Sequence, residues 1–196
     1  MKMNLPNKLT IMRMIMIPFF MAVIMFPFDD FWSRLLAAAL FGITALTDML
    51  DGKIARKYNL ITDFGKFLDP VADKLMTIGG YIAILTTLAG DRTCFVIFAW
   101  ATFVVILREL AVTSLRMIVA KGASVVIAAA YLGKVKTVSQ IVCILIMILE
   151  PAFFCGTFIA EYHVLSYVSM AFMVFMTIWS GLDYLRAYWP LINPDK

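Results

Sequence analysis

The sequence predicts an all-α integral membrane protein, a bundle of six transmembrane helices forming a single domain over residues 1–196. Composition is the first reason, since 63% of the residues are hydrophobic and 15% are charged, whereas soluble domains are about half apolar and a quarter charged. The second reason is that apolar stretches near the roughly 20 residues needed to cross a bilayer follow one another with short breaks. A soluble globule is therefore excluded, and lipid must surround most of the chain.

Six stretches are apolar and long enough, or nearly so, to span a membrane. They cover residues 9–28, 31–50, 70–89, 93–119, 135–149 and 162–184, and the fifth has an alternative start at Tyr131. The first is too long for a secretory signal and contains Arg13 and Pro18, so we expect it to stay in the protein. Pro6 ahead of it suits the first turn of a helix, and the sequence also allows a short N-terminal interfacial helix there.

An even number of spans puts both termini on one side of the membrane. Of the 17 lysines and arginines, only Arg34 and Arg92 fall on the other side. Because positive residues concentrate on the cytoplasmic side, we expect cytoplasmic termini and a multi-pass protein of the cell membrane. The positive residues behind the net charge of +4 are explained by this orientation signal. They therefore give no reason to expect a nucleic-acid partner.

The cysteines and the single histidine show no metal-ligand spacing. Cys94 and Cys155 fall near the same membrane face, so a disulfide is an alternative to the simpler interpretation that Cys94, Cys143 and Cys155 are small packing residues. His163 is interpreted as a residue at the rim of the membrane.

Four aspartates stand in one pattern where the second span ends and the third begins. The pattern, D-x2-D-G-x2-A-R-x8-G-x3-D-x3-D, runs from Asp48 to Asp73 and is called here the acidic signature. Asp48 and Asp51 are three residues apart, and Asp69 and Asp73 are four apart, so each pair shares a helix face. A turn over residues 57–67 should bring the two helix ends together, and the four carboxylates should converge beside the cytoplasmic face.

Such a cluster favours divalent cations, because close carboxylates repel one another unless cations neutralise them. All-oxygen ligands select hard ions such as Mg²⁺ or Mn²⁺. Two such ions suit the clamping of a pyrophosphate while an oxygen nucleophile displaces one phosphoryl group. Gly52 and Ala55 permit close approach of a nucleotide or a helix, and Arg56 offers a guanidinium to a phosphate or a carboxylate. Taken singly, Asp69 ahead of a proline is also a common helix N-cap.

These residues match the signature of the CDP-alcohol phosphatidyltransferases, and the chain resembles that family over essentially its whole length. The resemblance implies two divalent cations, Mg²⁺ or Mn²⁺, bound by Asp48, Asp51, Asp69 and Asp73. It implies that Asp73 is also the general base for the acceptor hydroxyl, that the donor is a CDP-linked lipid such as CDP-diacylglycerol, and that CMP leaves. The CDP-binding residues would be Asp48, Asp51, Gly52, Ala55, Arg56, Gly65 and Asp69. A homodimer is also implied.

Residues that select the acceptor should lie outside the signature. Charges within the fourth span cost roughly 2.5 kcal/mol or more each at bilayer depth, which favours a functional role or a specific partner. A cationic cluster beside an acidic metal site favours a phosphorylated acceptor. The predicted acceptor-phosphate residues are Arg108, Arg116, Lys134 and Lys136, with Asn7, Thr10, Arg13, Glu109, Thr137 and Gln140 as weaker candidates. Lys134 and Lys136 have an alternative role as positive anchors at the membrane surface.

The segments R-E-L-x5-L-R, G-K-x-K-T-x2-Q and N-L-P-N-K-L-T-x2-R look like those of family members that make phosphatidylglycerophosphate. This resemblance implies sn-glycerol 3-phosphate as the acceptor. Inositol phosphate, phosphatidylglycerol and serine remain alternatives, although serine carries no phosphate to explain the cations. A divalent-cation transporter is the alternative from another class. It predicts acids near the midplane and broken helices in related halves, and the sequence has neither pattern.

Overall fold

The computed structural model describes residues 4–57, 62–119 and 129–189, and within these ranges the side chains of 51–57, 63, 66, 116–119 and 129–130 are not described. The described residues form seven helices: α1 (Leu5–Met25), α2 (Asp30–Lys57), α3 (Asp63–Thr87), α4 (Arg92–Val119), α5 (Ala129–Phe153), α6 (Phe158–Glu161) and α7 (Val164–Tyr188). The regular structure in these ranges is entirely helical, which confirms the all-α prediction.

Five helices are long and apolar enough to cross a membrane, namely α1, α4, α5, α7 and the Asp30–Leu50 part of α2. The third predicted span, α3, is 25 residues long but is not among them, because its first half carries Asp69, Asp73 and Lys74. The chain therefore has the helices of a multi-pass membrane protein. A sixth crossing and the cytoplasmic position of the termini stay predictions.

The long helices pack in a closed ring. α1 packs against both α2 and α3, α2 packs against α5, α5 against α7, α7 against α4, and α4 against α3. α3 also contacts α5 across the ring, whereas α2 and α3 touch each other little. The starts of α1, α3 and α5 lie at the same end of the bundle as the ends of α2, α4 and α7. This end, called here the signature end, holds Asp48, Asp69 and Asp73.

The core that fixes α3 within the ring is built from aromatic and aliphatic side chains. The Phe20 and Phe41 rings lie 5.2 Å apart, and those of Tyr81 and Phe98 lie 5.8 Å apart. A Cβ on Gly80 of α3 would stand 2.8 Å from a methyl carbon of Ile144. The absence of a side chain at Gly80 therefore lets α3 approach its neighbours closely.

The first helix is continuous from Leu5 to Met25, so within the described residues, which begin at Asn4, the interfacial helix that the sequence allowed does not form a separate element. Asn4 caps it, and its side chain accepts a hydrogen bond from the backbone N–H of Asn7 at 3.3 Å. Pro6 lies in the first turn, as predicted. The cap fixes the start of α1 at Leu5, and the helix continues without a break to Met25.

The third helix starts earlier than predicted. Thr62 caps it by accepting from the backbone N–H of Gly65 at 3.0 Å. Asp69 and Pro70 are consequently inside the helix, so the interpretation of Asp69 as an N-cap is wrong. The predicted turn over 57–67 is too long, because residues 63–67 are helical, and residues 58–61 lie outside the described residues. The prediction failed because an internal proline removes one helical hydrogen bond without necessarily ending the helix.

The end of the bundle opposite the signature end is closed by buried polar contacts. Glu150 is 1% exposed, and its carboxylate accepts from the backbone N–H groups of Leu165 at 2.8 Å and Ser166 at 2.9 Å, and from the Ser166 hydroxyl. It therefore caps the start of α7, a role that the sequence did not reveal. His163 lies 3.5 Å from an Asp91 oxygen at this end, and its place at the membrane rim stays a prediction.

All three cysteines are free, so the alternative of a disulfide between Cys94 and Cys155 is wrong. Cys94 and Cys143 are buried as packing residues, and Cys155 is exposed.

Candidate active site

The acidic signature lies across the end of α2 and the first half of α3. Asp48 belongs to α2, and its side chain is 33% exposed. Asp69 and Asp73 belong to α3; Asp69 is exposed and Asp73 is half-buried. Asp51, Gly52, Ala55 and Arg56 form the last turns of α2, but their side chains lie outside the described residues. The three described aspartates are therefore presented from two helices at one end of the bundle.

One face of α1 carries three buried polar residues that reach this signature on successive turns. Asn7 donates to the Thr62 hydroxyl oxygen at 3.0 Å, and Thr10 donates to an Asp69 carboxylate oxygen at 3.1 Å. The Arg13 guanidinium pairs with the Asp48 carboxylate. Asn7, Thr10 and Arg13 were the weaker candidates from sequence, and each lies in contact with the signature or its helix cap.

Gly65 of the signature is buried where α1 comes closest to α3. A Cβ at this position would stand 2.8 Å from the Asn7 amide oxygen and 3.2 Å from the Thr62 hydroxyl oxygen. Distances this short force a neighbour to move. Gly65 is therefore needed for the approach of α1, in addition to any role in a nucleotide pocket.

The described aspartates have the right donor chemistry for the divalent cations that the sequence predicts. They offer carboxylate oxygens, which Mg²⁺ and Mn²⁺ prefer. Asp48 and Asp69 each have one oxygen held by α1, as is usual for metal-binding carboxylates. Within the part of the chain that the structure describes, no three acidic, histidine or cysteine side chains lie close enough together to hold a metal ion. Asp51 is outside that part.

A second polar cluster links α4, α5 and α7 at the same end. Glu109 of α4 pairs with the Lys136 ammonium of α5, and Arg108 lies 3.7 Å from the same Glu109 oxygen. Arg108 also donates to the Ser180 hydroxyl oxygen at 3.1 Å and lies 6.0 Å from the centre of the Tyr184 ring. Arg108 and Lys136, two of the predicted acceptor-phosphate residues, are therefore brought together.

The two clusters are neighbours. The charge of Asp73 acts on the Lys136 ammonium, as does that of Arg108. α4 and α5 do not pack closely against each other over their described residues, so the Glu109–Lys136 pair joins two helices that are otherwise apart. The cations of this cluster thus lie within electrostatic range of Asp73.

The other predicted acceptor residues are placed differently. Lys134 is exposed, on another side of α5 from the buried Lys136. Thr137 donates to the backbone oxygen of Gly133 at 3.1 Å, and Gln140 is buried one turn deeper than Lys136. The Arg116 side chain lies outside the described residues.

Sequence reasoning missed Thr62, Ser180 and Tyr184. Thr62 had a usable signal, because a threonine three residues before Gly65 suits a helix cap. Ser180 and Tyr184 are four residues apart on α7 and share a face, but no local pattern connects that face to Arg108.

Comparison with known proteins agrees with this site. The family described as CDP-alcohol phosphatidyltransferase matches residues 3–179. A Bacillus subtilis (strain 168) protein named CDP-diacylglycerol--glycerol-3-phosphate 3-phosphatidyltransferase is 38% identical over 98% of this chain and 99% of its own length. Proteins of the same name from Escherichia coli (strain K12) and Pseudomonas fluorescens are 36% and 34% identical, over 95% and 98% of this chain and 96% and 94% of theirs. The chain belongs to the CDP-alcohol phosphatidyltransferase family.

Proposed function

We propose that this enzyme transfers a phosphatidyl group from CDP-diacylglycerol to sn-glycerol 3-phosphate, giving phosphatidylglycerophosphate and CMP. The observation that carries the proposal is that the Arg108–Glu109–Lys136 cluster lies at the signature end, within electrostatic range of Asp73. A carboxylate signature suited to a nucleotide-linked donor thereby adjoins cations suited to a phosphorylated acceptor. The names of the relatives support the same donor and acceptor.

The donor would bind at the acidic signature. Two Mg²⁺ or Mn²⁺ ions, held by Asp48, Asp51, Asp69 and Asp73, would supply charge neutralisation for the pyrophosphate and polarisation of the reacting oxygens. The α1 contacts to Asp48 and Asp69 hold one oxygen of each carboxylate, which would orient both side chains toward the cations. Gly52, Ala55, Arg56 and Gly65 would complete the CDP pocket, as the family resemblance implies.

Asp73 would take the proton of the acceptor hydroxyl as that oxygen attacks the lipid-bearing phosphorus. The new bond joins the glycerol oxygen to this phosphorus, and the bond between the phosphorus and the CMP oxygen breaks. Proton transfer to a positioned side chain contributes about 10²–10⁴-fold to such reactions. Asp73 is half-buried at the signature end, within electrostatic range of the cluster that would bind the acceptor phosphate.

The cationic cluster would bind the phosphate of the acceptor. Arg108 and Lys136 carry two positive charges and Glu109 one negative charge, so the cluster retains a net charge of +1 for an anion. Glu109 holds both cations in the absence of substrate, which keeps them in place for binding. Serine carries no phosphate for this cluster, whereas inositol phosphate carries one and would also be accommodated.

The orientation and assembly complete the proposal. We place the signature end and both termini in the cytoplasm, with α3 as a sixth crossing of the cell membrane, since 15 of the 17 lysines and arginines fall on that side. A homodimer follows from the family resemblance.

The test is release of CMP by purified protein from CDP-diacylglycerol with Mg²⁺ or Mn²⁺. Glycerol 3-phosphate, inositol phosphate, serine and phosphatidylglycerol are supplied separately as acceptors. We expect release only with glycerol 3-phosphate, and none when the metal is removed by a chelator. Release with inositol phosphate alone would refute the acceptor assignment. No release from folded protein with any acceptor would refute the transferase and favour the transporter.

A further inference from the structure

The two halves of the acidic signature are connected mainly through α1. Asp48 is on α2 and Asp69 and Asp73 are on α3, yet α2 and α3 touch each other little, whereas α1 packs along both. The separation of the carboxylates on the two helices is therefore not fixed by direct packing between them. Two helices, α1 and α5, pack on both α2 and α3, and α1 makes the larger contact with each.

The contacts of α1 are made to the carboxylates themselves. Arg13 pairs with Asp48 on α2, and Thr10 donates to Asp69 on α3 at 3.1 Å. One turn earlier, Asn7 donates to Thr62, whose hydroxyl oxygen also caps α3. One face of α1 thus contacts one aspartate from each half of the signature. The same face contacts the residue that caps α3.

Burial makes these contacts specific. Arg13 is 0% exposed and Thr10 is 1% exposed, so neither contact is open to water. The Thr10 hydroxyl has a second acceptor within α1, the Pro6 backbone oxygen at 3.1 Å, and an ionised carboxylate is the stronger acceptor of the two. A charged group buried in this way requires its counter-ion, because its removal leaves an uncompensated charge. The Arg13–Asp48 pair therefore fixes the α1–α2 register at the depth of the signature.

We propose that α1 is the positioning element of the catalytic site: Arg13 fixes Asp48, Thr10 fixes Asp69, and α1 thereby sets the distance between the two halves of the carboxylate cluster. Arg13 and Thr10 are positioning residues, which act through the two aspartates. The consequence for metal binding rests on the proposed function, whereas the consequence for the α2–α3 distance does not.

The first experiment measures Mn²⁺ affinity of the purified protein without substrates, by electron paramagnetic resonance of the free ion. Loss of a group that orients a metal ligand typically lowers metal affinity about 10–100-fold, and we expect this for Thr10→Val and Arg13→Met. Thr10→Ser, which keeps the hydroxyl, should restore the affinity. Thr44→Val is the matched control, because its buried hydroxyl donates only within α2, to Leu40 at 2.6 Å.

The second experiment measures the α2–α3 distance in metal-free protein. Nitroxide labels are placed at Leu46→Cys and Val71→Cys, two exposed positions near Asp48 and Asp69, with the exposed Cys155 changed to serine. Pulsed dipolar spectroscopy should give one narrow distance distribution in the parent. The distance distribution should broaden with Thr10→Val, a substitution that keeps the buried Arg13–Asp48 ion pair. The narrow distribution should be restored with Thr10→Ser.

The two readouts separate the inference from the proposed function. A broadened distribution together with weaker Mn²⁺ binding supports the positioning role. An unchanged distribution in both Thr10→Val and Arg13→Met overturns it, whatever the activity of these variants. Failure of the parent to bind Mn²⁺ refutes the metal chemistry of the proposed function, and the metal-free distances still decide the role of α1.

Discussion

Replacement of Glu150 tests the buried contacts at the end of the bundle opposite the signature end. Its carboxylate accepts two backbone N–H groups in the first turn of α7, from Leu165 and Ser166 at 2.8 and 2.9 Å. Glu150→Ala removes both acceptors at a site where the side chain is 1% exposed. A buried donor left without a partner costs about 1–3 kcal/mol, so two donors give a loss of about 2–6 kcal/mol. The Ser166 hydroxyl can rotate to another acceptor and adds little.

The assay is unfolding of the purified protein by SDS in mixed micelles, followed by circular dichroism. Glu150→Gln keeps one side-chain oxygen as an acceptor and should lose less than half as much free energy of unfolding as Glu150→Ala. Glu161→Ala is the control, because Glu161 is exposed at the same end. Equal unfolding free energies for Glu150→Ala and Glu161→Ala would refute the capping role. Turnover of folded Glu150→Gln should match the parent, since the site is at the other end.

Three further predictions concern the site and the core. Asp73→Asn should lower CMP release by about 10²–10⁴-fold with an unchanged unfolding midpoint, and turnover near that of the parent would contradict its assignment as base. Lys136→Met should raise the KM for glycerol 3-phosphate about 10–100-fold, because one charge-assisted hydrogen bond is lost. Lys134→Met, at an exposed position, should change this KM little. Equal effects of the two substitutions would contradict the assignment of phosphate binding to the buried lysine. Gly80→Ala should destabilise by about 1–3 kcal/mol through overpacking, whereas Gly42→Ala, with nothing within 4 Å of its Cβ, should stabilise by up to about 1 kcal/mol. SDS unfolding measures the change in the free energy of unfolding for both variants. A change of the same sign in the two variants would contradict the close packing at Gly80.

The identity of the signature residues was readable from the sequence because their spacing is local. Asp48 and Asp51, or Asp69 and Asp73, need only a helix to share a face, and both pairs lie in helices. The start of α3 was misplaced because a proline after Asp69 is compatible with a helix interior as well as with a helix start. The cap at Thr62, three residues before Gly65, marks the true start.

The partners of the signature could not be predicted because they are distant in sequence. Arg13 and Asp48 are 35 residues apart, and Thr10 and Asp69 are 59 apart, so their contact depends on the order of helices around the ring. Glu150 is a similar case, since a glutamate near the end of an apolar helix carries no local sign of the α7 N–H groups that it accepts from.

The two lysines of α5 show where charge alone misleads. Lys134 and Lys136 are equivalent in composition and differ by two residues, yet one is exposed and the other is buried against Glu109. A spacing of two residues puts side chains on different helix faces. Only the position of α4 in the bundle shows which face of α5 contacts Glu109.

The Arg13–Asp48 pair also has a consequence for the biogenesis of the protein. Arg13 is the ninth residue of the 21-residue α1, and an arginine within a membrane helix is costly to insert without a partner. Its counter-ion is synthesised 35 residues later, at the far end of the Asp30–Leu50 span. We therefore expect α1 and α2 to enter the bilayer together as a hairpin. Truncation of the nascent chain before Asp48 should leave α1 poorly integrated, and extension past it should complete integration of both helices.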